Sequence, residues 1–300
     1  MSVITSTSVE RKQLFVQRNP LAAFILLAFG LSWPFLIADA LGSWGIIPLR
    51  LPLSGPGILI MIFMAYSPTI AAFIVTGITS GKVGIRRLFG RILRWRAGIQ
   101  WYLIVLLGIP LLYFLALQID ILLGGSAKPL PSGGLPMAAI GALIMFIVNG
   151  LVNGEEFAWR GFALPRLQAK YSSLASSLIL GLIWALFHLP LFFTKGGGAG
   201  GNMSETPFIA FVLIILSGSV LATWLFNNTR GSVFFAYLFH AASNTWPGIF
   251  ASATPGGAIF WMYAGIFSLA AVIVVIVYGP SYLSRTGVDE WQFVIEDDQR

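Results

Sequence analysis

The chain has 300 residues, of which 57% are hydrophobic and only 10% are charged. Soluble globular domains average about 25% charged residues, so the composition excludes that class and predicts an integral membrane protein. The net charge of +7 does not favour nucleic-acid binding, because the basic residues lie between hydrophobic segments, where they set membrane orientation. No cysteine is present, which excludes disulfides, cysteine nucleophiles and thiolate metal sites.

Apolar segments long enough to span a bilayer, about 20 residues each, follow one another along the chain. We predict an all-α polytopic membrane protein with about eight transmembrane helices. Residues 1–300 would form a single integral membrane domain, with residues 20–280 as its transmembrane helical core. The predicted spans are 20–41, 57–79, 100–123, 136–154, 174–194, 206–227, 232–250 and 259–279.

The basic residues are distributed unequally between the two sides of this predicted topology. When both termini are placed on one side, only Arg50, Lys128 and Lys195 of the 18 Lys and Arg residues fall on the other. Basic loops stay in the cytoplasm. We therefore expect a multi-pass protein of the plasma membrane with both termini in the cytoplasm.

The first hydrophobic segment, Leu21 to Ile37, precedes Ala38-Asp39-Ala40, which fits the small-residue pattern of a signal-peptide cleavage site. Its apolar stretch is longer than the roughly 7 to 15 residues that such signals use. We therefore favour a first helix that is retained in the membrane.

Residues 82–98 combine Arg86, Arg87, Arg91 and Arg94 with apolar residues at helical spacing. This pattern favours an amphipathic helix on the cytoplasmic lipid surface, and a basic loop is the alternative. No chemistry is expected from the glycine-rich connector 196–201 or from the acidic tail after Gly279.

Two adjacent carboxylates, Glu155 and Glu156, stand at the end of an apolar run with Arg160 close behind. An ionisable group in a membrane span costs roughly 2.5 to 3.5 kcal/mol on insertion scales, so it indicates a functional site. Residues four apart share a helix face, so Glu156 and Arg160 can pair, while Glu155 lies about 100° away. One interpretation makes Glu156 a fixed strut and Glu155 an acid/base group facing a cavity. An ion pair that anchors a helix end is the alternative, and it leaves Glu155 unexplained.

The only two histidines of the sequence, His188 and His240, both fall inside predicted spans. A single membrane histidine is as often structural as functional, but two of two, together with a carboxylate pair, favour a shared polar site. Asn244 lies four residues after His240, so the two side chains project from one helix face.

These motifs resemble those of the CPBP family of intramembrane endopeptidases, which includes the type II CAAX prenyl endopeptidases and bacteriocin-processing or self-immunity proteins. The resemblance rests on Glu155-Glu156-x-x-x-Arg160, then Trp184-x-x-x-His188, then His240-x-x-x-Asn244. It covers residues 141–247, which we take as the motif-bearing catalytic region. Trp184 stands where the family often has Phe, a change that we do not expect to affect the chemistry.

The resemblance implies that an activated water hydrolyses a peptide bond of a membrane-anchored peptide or protein, with prenylated CAAX-type substrates as one option. Glu155 would be the general base that holds the water with His188. His240 and Asn244 would donate hydrogen bonds to the oxyanion, and Glu156 and Arg160 would complete the catalytic set. The expected partners are this substrate and the lipid bilayer, with no nucleic acid.

The use of a metal stays open, with no cofactor as one alternative and a divalent ion such as zinc as the other. Glu155, His188 and His240 would supply the three protein ligands that a catalytic zinc needs, but the His-Glu-x-x-His spacing of zincins is absent. Two other classes of function are a proton-coupled transporter, for which no internal repeat is visible, and a catalytically silent scaffold or immunity protein.

One geometric difficulty accompanies these expectations. His188 would lie about 24 Å along its helix and His240 only about 12 Å along its own, at 1.5 Å per residue. Straight helices would not bring both level with Glu155. Either the segment after Arg160 re-enters the membrane, which Gly161 and Pro165 would permit, or the predicted boundaries are wrong.

Overall fold

The computed structural model describes residues 14–51, 56–196, 203–254 and 257–285. Regular structure within these ranges is helical, apart from an isolated antiparallel bridge between Ala127 and Ser252. Some of the basic residues counted above, including Arg11 and Lys12, lie outside the described residues, as do most of the glycine-rich connector and the acidic tail.

The longer helices follow the apolar segments of the sequence, and short 3-10 helices connect several of them. In chain order the helices are α1 (Phe15–Arg18), α2 (Pro20–Ser43), α3 (Pro56–Gly90), α4 (Ile99–Leu122), α5 (Gly134–Val152), α6 (Ser173–Phe187), α7 (Phe208–Asn228), α8 (Val233–Ile249) and α9 (Ala258–Tyr278). The 3-10 helices are Arg91–Leu93, Leu189–Phe193 and Met203–Glu205.

The all-α polytopic prediction is confirmed, whereas the count of eight spans is not. Each predicted span coincides with one of the helices α2 to α9, but in the described ranges six are long and apolar enough to cross a membrane. Helix α6 has only 15 residues and α8 only 17. At 1.5 Å per residue these two are shorter than the roughly 30 Å hydrocarbon core, which explains the difference.

The basic segment after the second span continues α3 beyond a kink at Gly81, whose φ of 61° and ψ of −156° suit glycine. The helical conformation predicted for residues 82–98 thus holds as far as Gly90, and its contact with lipid stays a prediction. Arg91 departs from the expected exposed position, because it is only 2% exposed. It donates a hydrogen bond to the carbonyl of Gly161, and a buried carbonyl needs such a partner.

Two large buried apolar clusters hold the bundle together. One cluster joins α4, α7, α8 and α9, with Tyr113, Phe239 and Phe267 among its buried side chains. The other joins α2, α3 and α6 to the chain after α5, around Phe24 and Trp159. Helix α5 instead exposes most of its large apolar side chains, as a helix that faces lipid does.

Helices α6 and α7 pack closely because small side chains line their contact. The Ser219 hydroxyl on α7 donates a 2.8 Å hydrogen bond to the carbonyl of Ser177 on α6. A Cβ atom added at Gly181, one turn further on, would lie 3.0 Å from the Cβ of Ser219 and 3.2 Å from the Cα of Leu216. The backbone at Leu216 cannot move without separating the helices.

We therefore expect Gly181→Val to lower the free energy of unfolding by roughly 1–3 kcal/mol, the usual cost of overpacking. Thermal unfolding of the detergent-solubilised protein measures it. Gly265→Val on α9 is the matched control, because nothing lies within 4 Å of the Cβ it would add. Equal melting temperatures for the two variants would show that the α6–α7 contact tolerates a side chain.

Candidate active site

The turn that precedes Glu155 is fixed by two side chains of α3. The Tyr66 hydroxyl donates to the carbonyl of Leu151 and the Thr69 hydroxyl donates to the carbonyl of Gly154. A Cβ atom at Gly154 would lie 2.2 Å from the Tyr66 ring, so only glycine fits there. Helix α3 therefore fixes the backbone just before Glu155 and Glu156.

Residues 153–172, here called the site segment, form a series of short helices inside the protein. A turn of α-helix at Glu156–Ala158 passes into a π-helix at Trp159–Ala163 and then into an α-helix at Leu164–Gln168. Most side chains from Glu156 to Gln168 are buried, whereas residues 169–172 are exposed. Single π-helical turns often occur at functional sites, and irregular backbone at membrane depth is tolerated when protein surrounds it.

Glu156 is the centre of a buried charge cluster. Arg160 donates to both of its carboxylate oxygens, at 2.9 and 3.2 Å, and the Nδ1 atom of His240 lies 2.8 Å from Oε1. All three side chains are at most 6% exposed. The predicted pairing of Glu156 with Arg160 is confirmed, and the contact with His240 adds a partner from α8.

The Arg160 guanidinium is also in contact with an aromatic ring. Its Nε and Nη2 atoms have no hydrogen-bond partner among the described residues, but its Cζ lies 4.6 Å from the centre of the Trp184 ring. A cation over an indole face is stabilised by the ring quadrupole. The ring therefore compensates in part for the missing hydrogen bonds.

Glu155 has one carboxylate oxygen that is held by two indoles. The Nε1 atoms of Trp159 and Trp184 donate to its Oε2 at 2.7 and 2.8 Å. Its Oε1 makes no hydrogen bond within the described part of the chain. The side chain is thus oriented through one oxygen while the other is free to bind a water or a substrate.

His188 lies just beyond the last residue of α6. Its Nδ1 atom is 2.9 Å from the carbonyl of Trp184, and a carbonyl can only accept, so Nδ1 carries the proton. Nε2 of the neutral ring is then an acceptor. By the same reasoning the Nδ1 of His240 donates to Glu156, and its Nε2 donates only when the ring carries both protons.

Glu155 and His188 line two cavities, and one of these cavities is also lined by His240 and Asn244. A cavity of about 290 Å³ is bordered by Glu155, His188, His240 and Asn244. A second cavity of about 340 Å³, between α2 and α3, meets the first at Glu155 and His188. This arrangement resolves the difficulty that His188 and His240 were expected to lie too far apart in depth to meet Glu155. The carboxylates of the site segment lie inside the protein, and the last turn of α6, which ends at Phe187, approaches Glu155.

Residues 135–246 match the family described as Type II CAAX prenyl endopeptidase Rce1-like. These residues are here called the Rce1-like domain, after this similarity. The chain is also 29% identical over 144 residues to CAAX prenyl protease 2 of Methanococcus maripaludis. The aligned region covers 47% of this chain and 53% of that protein. It thus spans about half the length of this curated relative. The family resemblance inferred from the motifs is confirmed.

The Rce1-like domain does not offer an evident metal site. Among the described residues, no three His, Asp or Glu side chains are grouped so that they could hold a metal ion. The ligand set considered from the sequence therefore does not fit a catalytic zinc, which needs about three convergent ligands.

Two tryptophans of the Rce1-like domain were not predicted to touch the carboxylates. The i,i+4 spacing of Glu155 and Trp159 was available in the sequence, because such residues share a helix face. The contact of Trp184 with Glu155 joins residues 29 positions apart and has no local signal. The expectation that Trp in place of Phe is a mild change is therefore incomplete, since the indole N–H donates directly to Glu155.

We expect Glu156→Gln to destabilise the Rce1-like domain strongly, because it leaves the buried charge of Arg160 without its counter-ion. Breaking a buried ion pair on one side costs about 3–5 kcal/mol. Glu155→Gln is the matched comparison, because its amide oxygen can still accept from the two indoles, and it should unfold near the wild-type temperature. Thermal unfolding in detergent measures both, and equal stability of the two variants would contradict the counter-ion role.

Proposed function

We propose that this protein is an intramembrane endopeptidase that hydrolyses a peptide bond of a membrane-anchored substrate with a water activated by Glu155. One observation carries the proposal. Glu155 has one oxygen held by two indoles, and it borders a cavity together with His188, His240 and Asn244. The match to the Rce1-like family and the name of the M. maripaludis relative support the same chemistry.

The geometry suggests how the water is held. A water in the cavity would donate one hydrogen bond to Oε1 of Glu155 and the other to Nε2 of His188, both of which are acceptors. Its lone pair would then point away from both residues, toward a substrate carbonyl. As the oxygen attacks the carbonyl carbon, Glu155 takes the proton, which is general-base catalysis.

The remaining residues suit the later steps. The Asn244 amide and a doubly protonated His240 would donate to the oxyanion of the tetrahedral intermediate, which usually is the largest electrostatic contribution in such reactions. Glu155 then returns its proton to the leaving nitrogen as the C–N bond breaks, which leaves a carboxylic acid and a free amine and restores the Glu155 carboxylate; the new acid then loses its proton to the amine or to water. Glu156 and Arg160 hold His240 in place and touch no reacting atom, so we assign them a positioning role.

The second cavity supports a lipid-anchored substrate. Apart from Ser32, Glu155 and His188, its lining is apolar, and it opens between α2 and α3. An apolar chain attached to a peptide would fit beside the carboxylate. CAAX-type prenylated peptides are therefore the first substrates to test.

We expect Glu155→Gln to abolish cleavage, because an amide cannot accept the proton of the water. The measurement uses the full chain in proteoliposomes with a farnesylated peptide that ends in a Cys-aliphatic-aliphatic-X sequence, and release of the tripeptide is followed by mass spectrometry. Glu205→Gln is the matched control, since Glu205 is exposed and does not border the cavities. Cleavage by Glu155→Gln at the wild-type rate would show the assigned mechanism to be wrong.

We expect Asn244→Ala to lower kcat by roughly a hundred- to a thousand-fold, the typical effect of removing one oxyanion donor. Its side chain makes no hydrogen bond within the described residues, so the melting temperature should stay near that of the wild type. The same peptide assay gives kcat and KM separately. A change in KM alone would assign Asn244 to substrate binding and contradict the oxyanion role.

We further propose that the protein lies in the plasma membrane with both termini in the cytoplasm. The native chain has no cysteine, so single-cysteine variants report topology directly. Ser132→Cys, between α4 and α5, should react with an impermeant maleimide in intact cells. Lys170→Cys, on the predicted cytoplasmic side, should react only after permeabilisation, and the reverse pattern would invert the topology.

A further inference from the structure

A further cavity lies away from Glu155. It is a cleft of about 540 Å³ formed by α1, the first turn of α2, the middle of α3 before its kink, and the end of the site segment. Arg18, Arg166 and Lys170 contribute cationic side chains to it, and Thr79 and Ser80 contribute hydroxyls. Among the described residues that line the cleft there is no carboxylate. This site, here called the basic cleft, has no part in the proposed hydrolysis.

Two of its cations are available to a ligand. Arg18 and Lys170 are exposed, and neither forms an ion pair with another described residue. Arg166 is more constrained, because it donates to the carbonyl of Phe162 and lies over the ring of that residue. Arg18 and Lys170 thus give the cleft positive charge that a ligand can reach.

The position of the basic cleft relates it to the membrane surface. It lies where the 24-residue span α2 begins, so it is at the level where a bilayer passes from hydrocarbon to headgroups. Just before it, Leu14 and Phe15 are 59% and 58% exposed, as apolar side chains inserted at an interface are. A ligand here would have an anionic group at this level and an apolar part beside the helices.

We propose that the basic cleft binds the headgroup of an anionic phospholipid. Basic pockets between transmembrane helices recognise phosphate-bearing headgroups through charge and hydrogen bonds. Arg18 and Lys170 would contact the phosphate oxygens, and Thr79 and Ser80 also line the cleft. The lipid would tie α1 and α2 to the end of the site segment.

Native mass spectrometry of the full chain in detergent, titrated with phosphatidylglycerol or with phosphatidylcholine of the same acyl chains, tests this. We expect a tight phosphatidylglycerol adduct that phosphatidylcholine does not form. The double variant Arg18→Gln/Lys170→Gln should weaken it about tenfold or more, given the usual contribution of two interfacial cations. The matched control Lys128→Gln/Arg285→Gln removes two exposed cations outside the cleft and should leave the affinity within twofold.

Two results would overturn the proposal. Equal losses of phosphatidylglycerol affinity in both double variants would mean that binding depends on the overall charge of the protein and not on the basic cleft. Displacement of the adduct by millimolar inorganic phosphate would mean that the cleft binds the free anion instead. Far-ultraviolet circular dichroism and the melting temperature confirm that each variant is folded before the comparison is made.

A separate observation concerns Ser32 on α2, which lies outside the Rce1-like match. Ser32 is fully buried, and its hydroxyl has no hydrogen-bond partner among the described residues. It borders the 340 Å³ cavity with Glu155 and His188. The indole of Trp33, the next residue, donates to the carbonyl of Phe187 at 3.0 Å, which fixes α2 beside His188.

We infer that the Ser32 hydroxyl binds the backbone of the substrate, an inference that rests on the proposed function. An unpaired hydroxyl in an apolar cavity is unfavourable unless a ligand supplies its partner. The peptide to which the apolar chain is attached carries carbonyl groups, and where it enters this cavity beside Glu155 it meets few other donors. Ser32 would therefore hold the peptide next to Glu155 without taking part in the chemistry.

The test compares Ser32→Ala with Ser67→Ala in the peptide assay. Ser67 is an equally buried serine of α3, but its hydroxyl already donates to the carbonyl of Met64 at 2.8 Å, and it does not line the cavity. We expect Ser32→Ala to raise KM about three- to tenfold and to leave kcat unchanged. This change in KM corresponds to the net free energy that one hydrogen bond usually contributes. Ser67→Ala should leave KM unchanged, and Ser32→Thr should restore part of the loss.

The outcomes separate this inference from the proposed function. If the wild type does not cleave the peptide, the proposed function fails and Ser32 is not at issue. If the wild type cleaves and Ser32→Ala has an unchanged KM at an unchanged melting temperature, Ser32 does not bind substrate. A fall in kcat alone would likewise contradict a binding role.

Discussion

The buried ion pair between Glu156 and Arg160 is the interaction on which the site depends. Both side chains are withdrawn from solvent and from lipid, so neither charge is tolerable without the other. The Oε1 atom of Glu156 is also in contact with Nδ1 of His240. This contact ties the site segment to α8. Because Arg160 lies against Trp184, and Trp184 donates to Glu155, the same pair also fixes the neighbouring carboxylate.

This arrangement gives two adjacent glutamates different environments. Glu156 accepts charged hydrogen bonds on both oxygens and is fully compensated, whereas Glu155 accepts from neutral indoles on one oxygen only. A carboxylate that is oriented but not neutralised is suited to accept and return a proton, and a neutralised one is suited to hold its neighbours. The proposed division of roles therefore rests on the partners of the two residues and not on the residue type.

The irregular backbone of the site segment makes these contacts possible. A continuous helix after α5 would carry Glu155 and Glu156 toward one membrane surface, away from the end of α6. The turn at Asn153–Gly154, held by Tyr66 and Thr69, and the π-helix at Trp159–Ala163 place the segment inside the bundle instead. Arg91 donates to the π-helix from the basic segment after α3, so that a residue expected on the surface supports the site.

The sequence by itself determined the features that depend on local pattern. Apolar length located the helices, and the i,i+4 spacing identified the pairing of Glu156 with Arg160, because residues one turn apart meet in any helix. The tertiary structure alone decided which side chains meet across helices. The contacts of Trp184 with Glu155, His240 with Glu156 and Arg91 with Gly161 join residues 29, 84 and 70 positions apart. Such contacts depend on the rotation and depth of each helix, which packing sets and sequence spacing does not encode.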